Sequence, residues 1–296
     1  MIHSFLTYLT IERRYSPLTV DAYQRDLFEF CAFLHVDPEQ LQPNDVTDDD
    51  IKEWLISLLD NNISPRSVRR KLSSLRSFWK YLMRIGYTQH NPTQLIISPK
   101  IPKPLPTFYK EREMQQEQLL EQYADDYLSI RDNLIIELLY QTGMRRAELI
   151  ALSDHDIDTI AKQLTVFGKR RKQRIIPIGD ALLEQILQYQ QLRDQQFPER
   201  QDDALLLTAK GKRINASTVY KTVHDRMAEV STQHKQSPHV LRHTFATTML
   251  DHGADINTIK TLMGHASLAA TQIYTHVTFE QMKKAYNAAH PRNHKK

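Results

Sequence analysis

Four residues between Ser237 and Val277 carry side chains suited to a single reaction: His239, Arg242, His265 and Tyr274. A phenol, with an ordinary pKa of about 10, is a weak nucleophile at neutral pH and needs activation. A phosphodiester attacked by such a phenol gains negative charge on its non-bridging oxygens. A planar guanidinium grips two of those oxygens at once, and an imidazole donates a further hydrogen bond. Taken singly these residue types are ordinary. At this spacing they point together to phosphoryl transfer through a tyrosine.

Short elements must hold them. Ser237-Pro238 is a helix-start signal, and Leu241, Phe245 and Leu250 supply an apolar stripe behind it. His239 and Arg242 are three apart, so both leave one face of that helix. His252-Gly253 ends it, and a second helix from Asp255 to Met263 closes at Gly264 and delivers His265. Tyr274 follows nine residues later, between Ile273 and Thr275.

The strings H-x-x-R-H-T-F-A-T, L-M-G-H and T-Q-I-Y-T-H-V resemble the tyrosine recombinases (the phage integrase family), the Xer branch in particular. That resemblance implies a DNA strand-exchange enzyme that joins Tyr274 to a DNA 3′-phosphate. It implies a mainly α fold with a small β-hairpin or sheet in the catalytic domain, the whole forming a two-domain DNA clamp. No cofactor and no metal is implied. The partners would be double-stranded DNA, related subunits in a homo- or hetero-tetramer on two DNA sites, and a septal DNA translocase as activator. T-G-M-R-x-x-E-L, residues 142–149, matches the family's first arginine box and assigns its arginine to Arg145, with Arg146 as local competitor and Glu148 as orienting partner. The family's hairpin lysine falls on Lys169. The turn departs from the family pattern at Arg170 and Arg171, which leaves Lys172 as an alternative.

The chain as a whole fits this reading. Its 296 residues allow about two domains. No apolar run is long enough to span a bilayer, and the first residues do not read as a secretory signal. One cysteine, Cys31, rules out an internal disulfide and fits a reducing cytoplasm, where it reads as a small buried hydrophobe. Seven glycines leave no glycine-rich phosphate loop, so ATP and dinucleotides are not expected.

Charge is unevenly spread. Residues 37–60 hold eight acids and one lysine, whereas residues 61–110 hold ten Lys or Arg and no acid. A basic segment of that length points to a polyanion. Periodicity predicts helices from Ile2, from Ser16-Pro17, after Thr47 with Asp48, Asp49 and Asp50 in the first turn, and from Ser64-Pro65 to about Ile85. On the last of these, Val68, Leu72, Leu75, Trp79 and Leu82 make a core seam. Arg66, Arg69, Arg70, Arg76, Lys80 and Arg84 are the candidate DNA-binding residues of the same helix. The alternative is a merely solvated basic face, which normally mixes signs.

Ser98 to Pro106 holds four prolines and reads as an extended linker. The division is therefore 1–96 as helical DNA-clamping domain, 97–106 as linker and 107–296 as catalytic domain. In the latter, helices are expected around Met114 to Tyr123, over Ile130 to Thr142, over Ala181 to Gln191 and over Ser217 to Val230. Leu164 to Phe167 and Arg174 to Ile178 should form a hairpin. Phe279, Met282 and Tyr286 make an apolar stripe suited to a neighbouring subunit's groove.

Chromosome or plasmid dimer resolution is the expected role, with integration or inversion of a particular DNA element as the alternative. The lack of an additional N-terminal DNA-binding domain argues against integrases that need accessory arm sites. Two rivals lie outside this class. One is a zinc metallohydrolase using His239 and His243, although Val240 stands where H-E-x-x-H needs Glu. The other is a DNA-binding module without catalysis, against which every catalytic position is filled.

Overall fold

The computed structural model describes residues 1–101, 107–115, 126–168, 173–233, 235–264 and 279–293. The chain divides into two compact units, Met1–Pro104 and Leu105–Lys296. The architecture is mainly helical with one small antiparallel sheet. No helix among the described residues is long and apolar enough to cross a membrane.

The first unit holds α1 (Ile2–Ile11), α2 (Pro17–Phe33), α3 (Asp48–Asp60) and α4 (Pro65–Arg84). Ser16 and Ser64 cap α2 and α4 by accepting from the Thr19 and Ser67 amides, each with proline in the first turn. At α3 the exchange is reciprocal: Thr47 Oγ1 accepts from the Asp50 amide while Asp50 accepts from the Thr47 amide. The seam foreseen on α4 is fully buried at Val68, Leu72, Leu75, Trp79 and Leu82. It packs with Phe30, Trp54 and Phe78 in tilted and edge-to-face ring contacts. Cys31 lies in the same core, where burial pushes its thiol up to about 11, so it acts as a hydrophobe.

The second unit runs α5 (Tyr127–Thr142), α6 (Arg146–Ala151), β1 (Ile157–Asp158), β2 (Gln163–Phe167), β3 (Gln173–Pro177), α7 (Asp180–Gln196) and α8 (Ala216–Val230). It continues with α9 (Pro238–Asp251), α10 (Ile256–Met263) and α11 (Phe279–Ala289). Strands pair in the order β1-β2-β3, antiparallel throughout, with Leu164 opposite Ile176 and Val166 opposite Arg174. The expected hairpin is thus joined by β1, two residues long and too short to show alternation in sequence. A short 3-10 turn occupies Glu111–Met114. Residues 116–123 of the helix expected there, and the hairpin turn 169–172, lie outside the described residues.

Helix α5 is buried from Leu134 to Thr142 and forms the centre of this unit, packed against α7, α8 and α9. It ends at Gly143, whose φ of 58° is left-handed. A Cβ there would stand 2.3 Å from the Phe245 ring, so both the turn and the packing demand glycine.

Two expectations are corrected in this unit. Leu250 is 44% exposed, and Met249 takes the core position beside Leu241 and Phe245. Nine residues at 100° each put Leu250 on the far side of the helix from Leu241. The second concerns α11. Tyr286 and Ala289 are buried with Phe245, Met249, Ala254, Ile259, Leu262 and Met263 of the same chain, and Met282 packs at the edge. Beyond α11, Arg292 reaches back to the Glu137 carboxylate at 2.7 and 3.2 Å and lies over the Tyr140 ring. Tyr286, with Met282 at its edge, is therefore part of this unit's own core. The brevity of the stripe misled, because an apolar helix face gives no sign of which chain will cover it.

Tyr286→Ala should accordingly lower the stability of the second unit by about 3–5 kcal/mol, the usual cost of truncating a buried aromatic. Urea unfolding checks this, and an unchanged midpoint would show that α11 does not carry core weight.

Candidate active site

The left-handed turn at Gly143 sends the chain into Arg145, which stands at the N-terminus of α6. Glu148, one turn on, accepts from the Arg145 backbone N–H through Oε2 at 2.8 Å and from Arg145 Nη1 through Oε1 at 2.8 Å. Glu148 is 4% exposed, so its charge is balanced by these neighbours rather than by water. Arg242 projects from α9, itself 5% exposed, and donates to the Gly143 carbonyl and to the Met263 carbonyl at 2.7 Å.

The end of α10 ties the group together. Asp255 caps its start by accepting from the Asn257 and Thr258 amides, and Gly264 closes it at a φ of 63°. Three successive carbonyls at that end accept from three different arginines. Leu262 accepts from Arg174 Nε at 2.7 Å, Met263 from Arg242 Nη2 at 2.7 Å and Gly264 from Arg145 Nη2 at 2.9 Å. A helix end leaves such carbonyls unsatisfied and partly negative, so it attracts cations.

Sequence reading missed Arg174. It makes a two-pronged bond to Glu148, Nη1 to Oε1 at 2.9 Å and Nη2 to Oε2 at 2.8 Å. A Cβ on Gly264 would lie 3.1 Å from its Cδ. The signal was present in strand alternation: Arg174 shares a face with Ile176, and an inward-facing arginine needs an anion.

These neighbours shape the electrostatics. Burial alone would raise the Glu148 carboxyl, but the Arg174 bond and charge, followed by Arg145, hold it down at about 2. Burial, then the charges of Arg145 and Arg174, brings Arg242 down to about 10. It remains a cation at neutral pH. Partial burial, then His243, Arg242 and Lys235, pushes His239 below its ordinary value, so its ring is mostly neutral at pH 7.

Among the sequence-predicted residues, the fold brings Arg145 and Arg242 together and sets His239 one helical turn from Arg242. Arg146, the competitor, is exposed and turned toward the Ala216 carbonyl. Lys169, with its alternative Lys172, and His265 and Tyr274 lie outside the described residues.

On α4 the candidate DNA-binding residues divide. Arg70 pairs with buried Asp26, Arg76 donates to Ser98 Oγ at 3.0 Å and to the Ile96 carbonyl, and Arg84 donates to Tyr8 Oη at 2.9 Å. Arg66, Arg69 and Lys80 are exposed and have no side-chain partner among the described residues.

Comparison with known proteins decides the family. The Phage integrase family model matches residues 112–281, and that of the phage integrase N-terminal SAM-like domain matches residues 2–86. The chain belongs to the phage integrase family. This tyrosine recombinase is 40% identical to "Tyrosine recombinase XerC" of Staphylococcus aureus (strain bovine RF122 / ET3-1), with 98% of this chain and 96% of that protein covered. It is 35% identical to the protein of the same name from Chlorobaculum parvum, covering 98% and 94%. It is a Xer-like site-specific recombinase and a DNA-binding enzyme of strand cleavage and transfer. Its fold is shared with XerH recombinase bound to difH substrate (TM-score 0.68, 21% identity, 96% and 83% covered). It is shared too with a lambda integrase tetramer bound to a Holliday junction (TM-score 0.66, 16% identity, 92% and 75% covered).

Family membership overturns the zinc metallohydrolase reading. His239 and His243 do approach, ring centroids 5.1 Å apart, but among the described residues no group of three or more potential ligands could hold a metal ion.

The Glu148 shift gives a test with a definite sign. A carboxyl held below its unfolded value adds stability that is present above the unfolded value and lost as pH falls toward the folded one. The stability gap between wild type and Glu148→Gln should therefore close as pH drops from the ordinary 4.5 to about 2. Urea titrations across that range check it, and a gap independent of pH would mean that Glu148 is not ionised in the fold.

Proposed function

We propose that the protein resolves chromosome or plasmid dimers by site-specific recombination through a 3′-phosphotyrosyl intermediate and a Holliday junction. What supports the reading most is the set of arginines gathered on the Leu262, Met263 and Gly264 carbonyls, immediately before His265 in the sequence. Tyr274 attacks the scissile phosphorus, forming the tyrosyl–phosphate bond as the bond to the 5′-oxygen breaks. Arg145 and Arg242 bear the charge that develops on the non-bridging oxygens, and His265 donates a hydrogen bond to one of them. His239 positions the phosphate or assists proton movement. Lys169 gives its proton to the departing 5′-oxygen as general acid. A 5′-hydroxyl of the partner duplex then attacks the phosphotyrosyl link and releases the phenol. The link conserves the bond energy, so rejoining needs no nucleotide.

In this reading residues 1–96 form the DNA-clamping domain, 97–106 the linker and 107–296 the catalytic domain. Arg66, Arg69 and Lys80 track DNA phosphates, with Arg70, Arg76 and Arg84 shaping the surface that presents them. Subunits act as a homo- or hetero-tetramer on two sites under a septal DNA translocase, in the cytoplasm where the chromosome lies. The relatives at 35% and 40% identity carry the name "Tyrosine recombinase XerC", in keeping with the Xer-type role proposed here.

Tyr274→Phe should bind target DNA like wild type yet form no covalent adduct on a nicked site, because only the nucleophilic oxygen is gone. A denaturation-resistant protein–DNA band with this variant would sink the nucleophile assignment. Arg69→Ala with Lys80→Ala should weaken binding to every duplex and reduce the salt slope of log K by about one to two units. Titrations at several salt concentrations read this directly, and an unchanged slope would leave that face merely solvated.

A further inference from the structure

We propose that Arg174 is a positioning residue for strand cleavage, holding Glu148 so that Arg145 stays free to face the scissile phosphate. The inference rests on the recombinase reading above. Its observation is the sharing of one buried carboxylate by two guanidiniums. Arg174 takes the two-pronged position on Glu148, with one bond to each oxygen. Arg145 takes only one side-chain bond there and turns its other terminal nitrogen to the Gly264 carbonyl.

A guanidinium beside a buried carboxylate normally closes onto it in the two-pronged form, which is the strongest geometry open to the pair. Such a closure would spend the charge of Arg145 on Glu148. Arg174 prevents it by occupying the place. The side chain of Arg145 consequently remains 40% exposed while those of Arg174 and Glu148 are 12% and 3% exposed. The exposed guanidinium is the one available to a phosphate.

The same side chain fixes two more elements. Its Nε holds the Leu262 carbonyl at the end of α10, and its Cδ would stand 3.1 Å from a Cβ on Gly264, a close approach that glycine eases. Its strand, β3, starts at Gln173, directly after Lys172. Arg174 thus links the strand that follows Lys169 and Lys172 in sequence to the helix end that precedes His265 in sequence.

The prediction separates this role from plain packing. The assay is single-turnover formation of the covalent adduct by the full-length protein. Its probe is a nicked duplex taken from the chromosomal segment that genome-wide footprinting shows most occupied. Arg174→Ala should slow adduct formation by about 10²-fold while DNA affinity stays within about threefold. Adding Glu148→Gln should recover at least about tenfold of that loss, because the remaining amide no longer captures Arg145. A packing role predicts the reverse, since the double variant loses still more bonds. Should Arg174→Ala fail to fold by circular dichroism, Arg174→Lys serves instead. It keeps the charge but not the two-pronged bond, and should be slowed by about tenfold with the same rescue by Glu148→Gln. Wild-type rates in the Arg174 variants, or a double variant no faster than the single, would overturn the proposal. Absence of any adduct with wild type would instead overturn the recombinase reading beneath it.

Discussion

Three guanidiniums in one partly buried site repel one another, and the second unit is arranged around holding them there. The end of α10 supplies the means: Leu262, Met263 and Gly264 present consecutive carbonyls, and each takes one arginine. Among the described residues, one full negative charge, Glu148, joins them. Dipoles at a helix end neutralise less than carboxylates would, so the cluster keeps a surplus of positive charge. In the proposed reaction that surplus is what would meet a phosphodiester. The lowering of Arg242 to about 10 records the cost, borne by burial and by its two cationic neighbours.

The elements that carry this cluster come from separated stretches. Arg145 starts α6, Arg174 sits in β3, and Arg242 belongs to α9. Their convergence depends on α5, the buried helix against which α7, α8 and α9 pack. In the first unit charge is handled differently. Arg70 and Lys71 meet Asp26 and Glu29, while Arg76 and Arg84 bind within the unit. A helix that looks uniformly basic in sequence thus commits four of its seven cations to contacts within its own unit. Its free cations are fewer and more specifically placed.

Much of this was legible before any coordinates. Helix starts at Ser16-Pro17, Thr47 and Ser64-Pro65 carry local chemistry that decides the structure within one turn, and the structure has each of them. The heptad-like seam of α4 was equally plain, because burial follows its 3.6-residue period. Arg145 and Arg242 were visible through their motifs. Arg174 was not, because its meaning lies in a partner 26 residues away and in a two-residue-period strand too short to read with assurance. The fate of the Tyr286 face also escaped, since apolarity specifies burial and not the identity of the covering surface. Among the α4 cations, the acids that claim Arg70 and Lys71 sit on α2, more than forty residues earlier.

The corner at Gly143 has a consequence for how this enzyme can change. Phe245 lies where a Cβ would go, and Arg242, which donates to the Gly143 carbonyl, is one helical turn away on α9. Crowding at this corner would push on the aromatic ring, on the helix that bears it, and so on the arginine. Most positions in a protein let selection trade rigidity against catalysis in small steps. At residue 143 one hydrogen atom in place of a methyl group serves both the packing and the placing of Arg242, and a lineage that departs from it loses them together.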